Sequence, residues 1–130
     1  MPGSYVLSGI NYNNMRHYQG EDIEFAITLN KLGVNDMQSW NEASRIVVYF
    51  YTHTSHIAKF SNEIETGYRQ LTQVSETQLT AIIPSADTKV FEGPLICDVY
   101  IHPKKGDVEQ IRRVSTGITI EYTPIKEEAQ

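Results

Sequence analysis

His53 and His56, spaced His-x-x-His, are the pair in this sequence closest in type to a metal site, because imidazole nitrogens are common ligands for zinc and copper. No CxxC pair, HExxH segment or carboxylate-rich loop accompanies them, and residues three apart on an extended segment face opposite sides. They read as surface-loop histidines. Asp98, Tyr100 and His102 alternate along one strand face, but a rise of about 3.3 Å per residue separates Asp98 from His102 by about 13 Å. That is too far for one ion, so the trio reads as a solvated sheet face. Cys97 is a conceivable nucleophile, yet it alternates with Leu95, Val99 and Ile101 and should behave as a small inert hydrophobe. Glu63, Glu65, Glu127 and Glu128 fall in polar breaks or the tail, where solvation accounts for them. No glycine-rich phosphate loop, dinucleotide fingerprint or nucleophile elbow occurs. The expectation is a protein that is not an enzyme and uses no cofactor and no metal.

Two basic clusters, Lys104-Lys105 and Arg112-Arg113, lie near Tyr100 and raise single-stranded nucleic acid as a ligand. Against this stands the balance of 11 basic and 16 acidic side chains, a net charge of −5. We therefore expect no nucleic-acid partner and read the clusters as charges that discourage unwanted sheet extension. The tyrosines are better candidates. Tyr49, Tyr51, Tyr68 and Tyr100, with His102, form a candidate contact surface, because tyrosine offers apolar area and a hydroxyl at small entropic cost. The competing explanation is that they are ordinary half-buried strand residues.

The elements that must position these residues follow from period-two alternation. Ile23, Phe25, Ile27 and Leu29 alternate with Glu24, Ala26 and Thr28, which predicts a half-buried strand. A first edge strand is expected at Met15 to Tyr18, ahead of the turn residues Gln19-Gly20-Glu21-Asp22. Asn30 to Ala43 reads as a long connection around Trp40 with room for one helical turn. Arg45 to Thr52 is apolar or aromatic on both faces and predicts a central strand covered on both sides. Ile57 to Phe60, Tyr68 to Val74 and Gln78 to Ile83 are short extended segments. Pro84 ends the last of these, and Ser85 is placed to cap a helical turn over Ser85 to Phe91. Leu95 to His102 and Val108 to Ser115 form a hairpin through Pro103-Lys104-Lys105-Gly106-Asp107, with Gly106 at a positive φ. Gly117 marks a bulge, and Ile118, Ile120 and Tyr122 form a last inward row.

The sum is an all-β chain: an immunoglobulin-like antiparallel β-sandwich of seven to eight strands with one short helical turn. At 130 residues, without repeats or linkers, it forms a single domain over 1–130, with residues 1–13 an N-terminal extension and 125–130 a frayed tail. The longest apolar run, Ile46 to Tyr51, is far short of the roughly 20 residues of a membrane span, so no membrane partner is expected. The N-terminus has no signal-peptide pattern and the thiol is single, which together suggest a cytoplasmic protein.

The order of segments carries a resemblance. A strand ending in a Gln-Gly-acidic turn leads into an alternating strand, Tyr18-Gln19-Gly20-Glu21-Asp22-Ile23-Glu24-Phe25-Ala26-Ile27. A β-branched strand, Arg45-Ile46-Val47-Val48-Tyr49-Phe50, follows a variable loop. Leu79-Thr80-Ala81 then leads to turns containing Ser85-Ala86-Asp87 and Phe91-Glu92-Gly93, and the chain closes at Thr123-Pro124. From Met15 to Pro124 this resembles the immunoglobulin-like domain near the N-terminus of phage baseplate upper proteins and related tail components, departing from it in the Gly33 to Ala43 loop and the Ser61 to Gly67 segment. The resemblance implies a structural role in a phage or prophage tail, contacts with protein subunits (its own copies as a homo-oligomer, or other tail components), and a virion location after assembly in the cytoplasm. The alternative is a carbohydrate- or surface-binding module of a bacterial protein, with the tyrosines as its platform.

Overall fold

Alternating apolar side chains can be buried on one side of a strand only if a second layer covers them, and two sheets do so here. The computed structural model describes residues 6–12, 16–30, 38–104 and 109–124. Ten strands form among these residues: β1 (Val6–Asn11), β2 (Arg16–Tyr18), β3 (Ile23–Asn30), β4 (Ala43–Tyr51), β5 (Ile57–Ser61), β6 (Arg69–Gln70), β7 (Thr72–Gln73), β8 (Gln78–Ile83), β9 (Gly93–Pro103) and β10 (Gln110–Glu121). One sheet has the order β1-β3-β8-β7 and the other β2-β10-β9-β4-β5-β6. The strand order follows that of a variable-type immunoglobulin sandwich, in which the C, F and G strands are extended by further strands on the C edge, except that β6 runs parallel to β5. A 3-10 turn at Trp40–Glu42 and a four-residue helix α1 (Ser85–Thr88) punctuate the strands.

Several expectations change. The strand count exceeds seven to eight, because β6 and β7 are two-residue pairings with weak alternation and because β1 lies inside the stretch expected to be an N-terminal extension. β1 pairs along its whole length with β3, from Val6 opposite Asn30 to Asn11 opposite Phe25. Among the described residues there are two helical turns, one in the connection around Trp40 and one after Pro84. Ser85 is not the cap of α1: Pro84 stands there, and the Ser85 N–H donates instead to Asp22 Oδ1 at 2.8 Å. Of the expected hairpin turn, Pro103 ends β9 and Lys104 is described, whereas Lys105, Gly106 and Asp107, like the expected frayed tail, lie outside the described residues.

The core lies between the sheets. Phe50 of β4 meets Phe25 of β3 and Phe60 of β5 edge to face, with ring centroids 5.6 Å apart in both cases and all three rings fully or almost fully buried. A B-to-F disulfide is common at the centre of antibody domains. Here Cys97 of β9 is a free, buried thiol, pushed far above its ordinary pKa by burial. It acts as a core hydrophobe, as its alternation indicated.

β2 crosses to the second sheet and runs parallel to β10, with His17 opposite Ile120. The turn that follows holds the two layers together through Gln19, which is 5% exposed. Its Nε2 donates to the Phe91 carbonyl at 2.8 Å and its Oε1 accepts from the Thr123 N–H at 3.0 Å. Gln19→Leu would remove both bonds and leave the buried Phe91 carbonyl without this donor, and we expect a loss of about 1–3 kcal/mol in urea denaturation. A loss under a few tenths would mean water replaces the amide.

The expected bulge at Gly117 is present. The β9–β10 register shifts between Ser115 and Thr119, and Gly117 has φ +65°. Thr116, Ile118 and Ile120 stay inward through the irregularity, whereas Tyr122, expected to continue the row, lies exposed beyond the end of β10.

Candidate docking face

The outer face of the six-stranded sheet is set by the same parity that fills the core. On β4, Ile46, Val48 and Phe50 point inward, so Arg45, Val47, Tyr49 and Tyr51 point out; on β9, Asp98, Tyr100 and His102 do the same. The register places Val47 opposite Tyr100, Tyr49 opposite Asp98 and Arg45 opposite His102. No strand layer lies over this face among the described residues. The expectation that β4 is covered on both sides is therefore corrected: Arg45, Tyr49 and Tyr51 remain half-buried, and only Val47, at 2% exposed, is closed off. The cover comes from neighbouring side chains and from the Asn62 to Tyr68 segment.

All five residues nominated from sequence reach this face. Tyr49 and Tyr100 stand edge to face with centroids 5.2 Å apart. The Tyr49 hydroxyl is pushed up to about 12, first by hydrogen bonding to Tyr68 and then by burial, while the same bond, with Arg45 and Lys59 nearby, lowers Tyr68. Tyr51 donates to Asp98 Oδ2 at 2.6 Å, which raises its own pKa. His102 lies exposed at the end of the row.

Residue spacing did not reveal the ion pairs that rigidify this surface. Arg45 forms a forked pair with Glu65, Nε to Oε2 at 2.9 Å and Nη2 to Oε1 at 2.7 Å, and its guanidinium lies 5.8 Å from the Tyr68 ring. Ser61 Oγ donates to the same carboxylate at 2.6 Å. Glu65 is thus not merely solvated: the Arg45 and Ser61 hydrogen bonds hold its carboxyl below the usual range. Arg113 reaches across from β10 to Asp98, Nε to Oδ1 at 2.9 Å. It is committed to this network rather than serving as an edge charge. Burial alone would raise the Asp98 carboxyl, but the Arg113 and Tyr51 hydrogen bonds outweigh it and hold it low.

A carboxyl held low in the fold contributes its stability fully above the ordinary carboxylate pKa near 4, and loses that contribution as pH falls through the folded value. Wild-type urea midpoints should therefore decline between pH 5 and pH 2. Arg113→Ala should flatten the decline, because Asp98 then titrates closer to its unfolded value. A slope unchanged by the variant would show that Asp98 is not held by Arg113.

The two histidines of the His-x-x-His pair meet different neighbours. His56 Nε2 meets Asp87 Oδ1 at 2.7 Å, whereas His53 lies under Gly93, where an added Cβ would come within 3.1 Å of its Cδ2. Asp87, nearly buried in α1, also accepts from Arg69 Nε at 2.8 Å. Among the described residues, no three His, Cys, Asp or Glu side chains are grouped to hold a metal ion. His17 is a core-edge residue, between Glu21 Oε1 at 2.9 Å and Asn11 Oδ1 at 3.3 Å. No described helix is long and apolar enough to cross a membrane.

No family model matches this chain, and no curated protein does. Among solved structures, it is similar to a cohesin module from the Clostridium perfringens ATCC13124 family 33 glycoside hydrolase, with a TM-score of 0.35 and 10% sequence identity, over 92% of this chain and 100% of that one. The assignment of an all-β sandwich rests on the strand pairing itself.

Proposed function

We propose that this chain is a non-enzymatic docking module that presents the outer face of its six-stranded sheet to protein subunits, as a structural component of a phage or prophage tail. The observation that carries the docking reading is the convergence of Tyr49, Tyr51, Tyr68 and Tyr100 on one sheet face over which no strand layer lies among the described residues, stiffened by the Arg45–Glu65 and Arg113–Asp98 pairs. Tyrosines held by neighbours lose little side-chain entropy on contact, which favours a protein interface. A sugar platform is disfavoured on the same geometry. The Tyr51 hydroxyl is engaged by Asp98 and Arg113, and the Tyr49 and Tyr100 rings pack against each other. The tail assignment is supported by the resemblance of the segment order from Met15 to Pro124.

Light scattering on a size-exclusion column, across a concentration series, tests the self-associating version. We expect mass to rise with concentration and a Tyr49→Ala/Tyr100→Ala variant to stay monomeric with an unchanged fold. For docking onto another subunit, the coding neighbours are decisive: tail, portal or baseplate genes alongside support it. A monomer at every concentration from a locus without such genes would remove the reading.

A further inference from the structure

The six-stranded sheet ends on β6, which pairs only with Phe60 and Ser61 of β5. On that side the Leu71 N–H donates to the Ser61 carbonyl at 2.9 Å. Backbone groups alternate direction along a strand, so the peptide groups of Lys59 and Ile57 point the same way as those of Ser61. In a parallel pair with Phe60 opposite Arg69, Arg69 bonds to the residues flanking Phe60, which takes up the Lys59 carbonyl. The Lys59 N–H and both Ile57 groups then lie beyond the start of β6, and no other backbone hydrogen bond reaches them among the described residues. Beside them runs an open groove of about 350 Å³, lined by Ile57, Lys59, Gly67, Tyr68, Arg69 and Asp87, among others. That is the lower end of the volume range of ligand pockets, room for a short stretch of extended chain.

Charge selects the occupant. Asp87 pairs with Arg69 and hydrogen-bonds His56 along one wall, and Glu65 neutralises Arg45 behind Tyr68. Lys59 has no ion pair among the described residues; its Nζ lies 5.8 Å from the Tyr68 ring centroid. A chain of net charge −5 thus offers an uncompensated cation beside unpaired strand backbone. We infer that this groove is a strand-addition site for an extended peptide segment of a partner protein that carries a carboxylate side chain. The segment continues the sheet beside Ile57 and Lys59, and its carboxylate meets the Lys59 ammonium. This site lies on the sheet edge; it shares Tyr68 with the docking face on the flat of the sheet but does not include Tyr49, Tyr51 or Tyr100.

The test is to pan the full chain against a displayed library of random twelve-residue peptides and to titrate the enriched peptides into 15N-labelled protein. We expect enriched sequences to share an Asp or Glu among β-branched residues. Their amide shifts should centre on Ile57, Lys59 and Gly67, with the Lys59 and Ile57 amides becoming protected from exchange. Lys59→Glu, an exposed substitution, should weaken binding about fivefold. N-methylation of the pairing amide in the peptide should abolish binding. Enrichment of no acidic peptide, or Lys59→Glu binding unchanged, would falsify the inference. Shifts centred on Tyr49, Tyr100 and Ile111 would overturn it while supporting the face reading.

Discussion

Phe50→Ala is expected to cost about 3–5 kcal/mol of folding stability, the range for truncating a fully buried aromatic side chain. Phe50 contributes more than its own area, because its ring is the shared member of two edge-to-face contacts, with Phe25 across the sandwich and Phe60 on the neighbouring strand. Both partners lose that geometry together, and the cavity is walled by β3, β4 and β5, paired strands that cannot easily collapse. Phe50→Leu should recover a large part of the loss. Urea denaturation of the two variants checks this, and a cost below about 1 kcal/mol for the alanine would mean that this trio is not the packing centre.

Gly9→Val is the second large effect, expected to destabilise by about 1–3 kcal/mol through overpacking. A Cβ at Gly9 would stand 2.0 Å from Phe25 Cζ and 2.7 Å from Cε2. The ring cannot swing away cheaply, since Phe25 is 0% exposed and already packed on Phe50. The relief open to the chain is to move β1 off β3, so hydrogen exchange at the β1 and β3 amides should rise in the variant while β9 and β10 stay protected. Uniform exchange across both sheets would instead indicate that β1 belongs to the global folding unit. Wild-type stability in Gly9→Val would show that β1 does not press on the core.

The strands that place the candidate face were legible in sequence wherever alternation was strong. Ile23 to Leu29 and Leu95 to His102 form as read, because burial on one face demands period two; the Arg45 strand forms too, but with one face without a covering layer. The short strands were not separable: Arg69–Gln70 and Thr72–Gln73 are held by pairing with neighbours, without side-chain burial of their own to mark them. β1 escaped for a related reason. Its edge position leaves it half exposed, so the signal in Val6 to Asn11 is faint even though Gly9 is needed against Phe25.

The chain's own residues determined that Tyr49 and Tyr51 share one side of their strand and that Tyr100 and His102 share one side of theirs, since that needs only parity; the pairing of β4 with β9 brought the two rows onto one face. Tertiary structure decided the rest. Arg45 meets Glu65 across 20 residues, Arg113 meets Asp98 across a hairpin, and His56 turns from His53 to Asp87, 31 residues away. Such partners depend on register and loop path, which are set by the collapse of the whole core and leave no period in the local sequence.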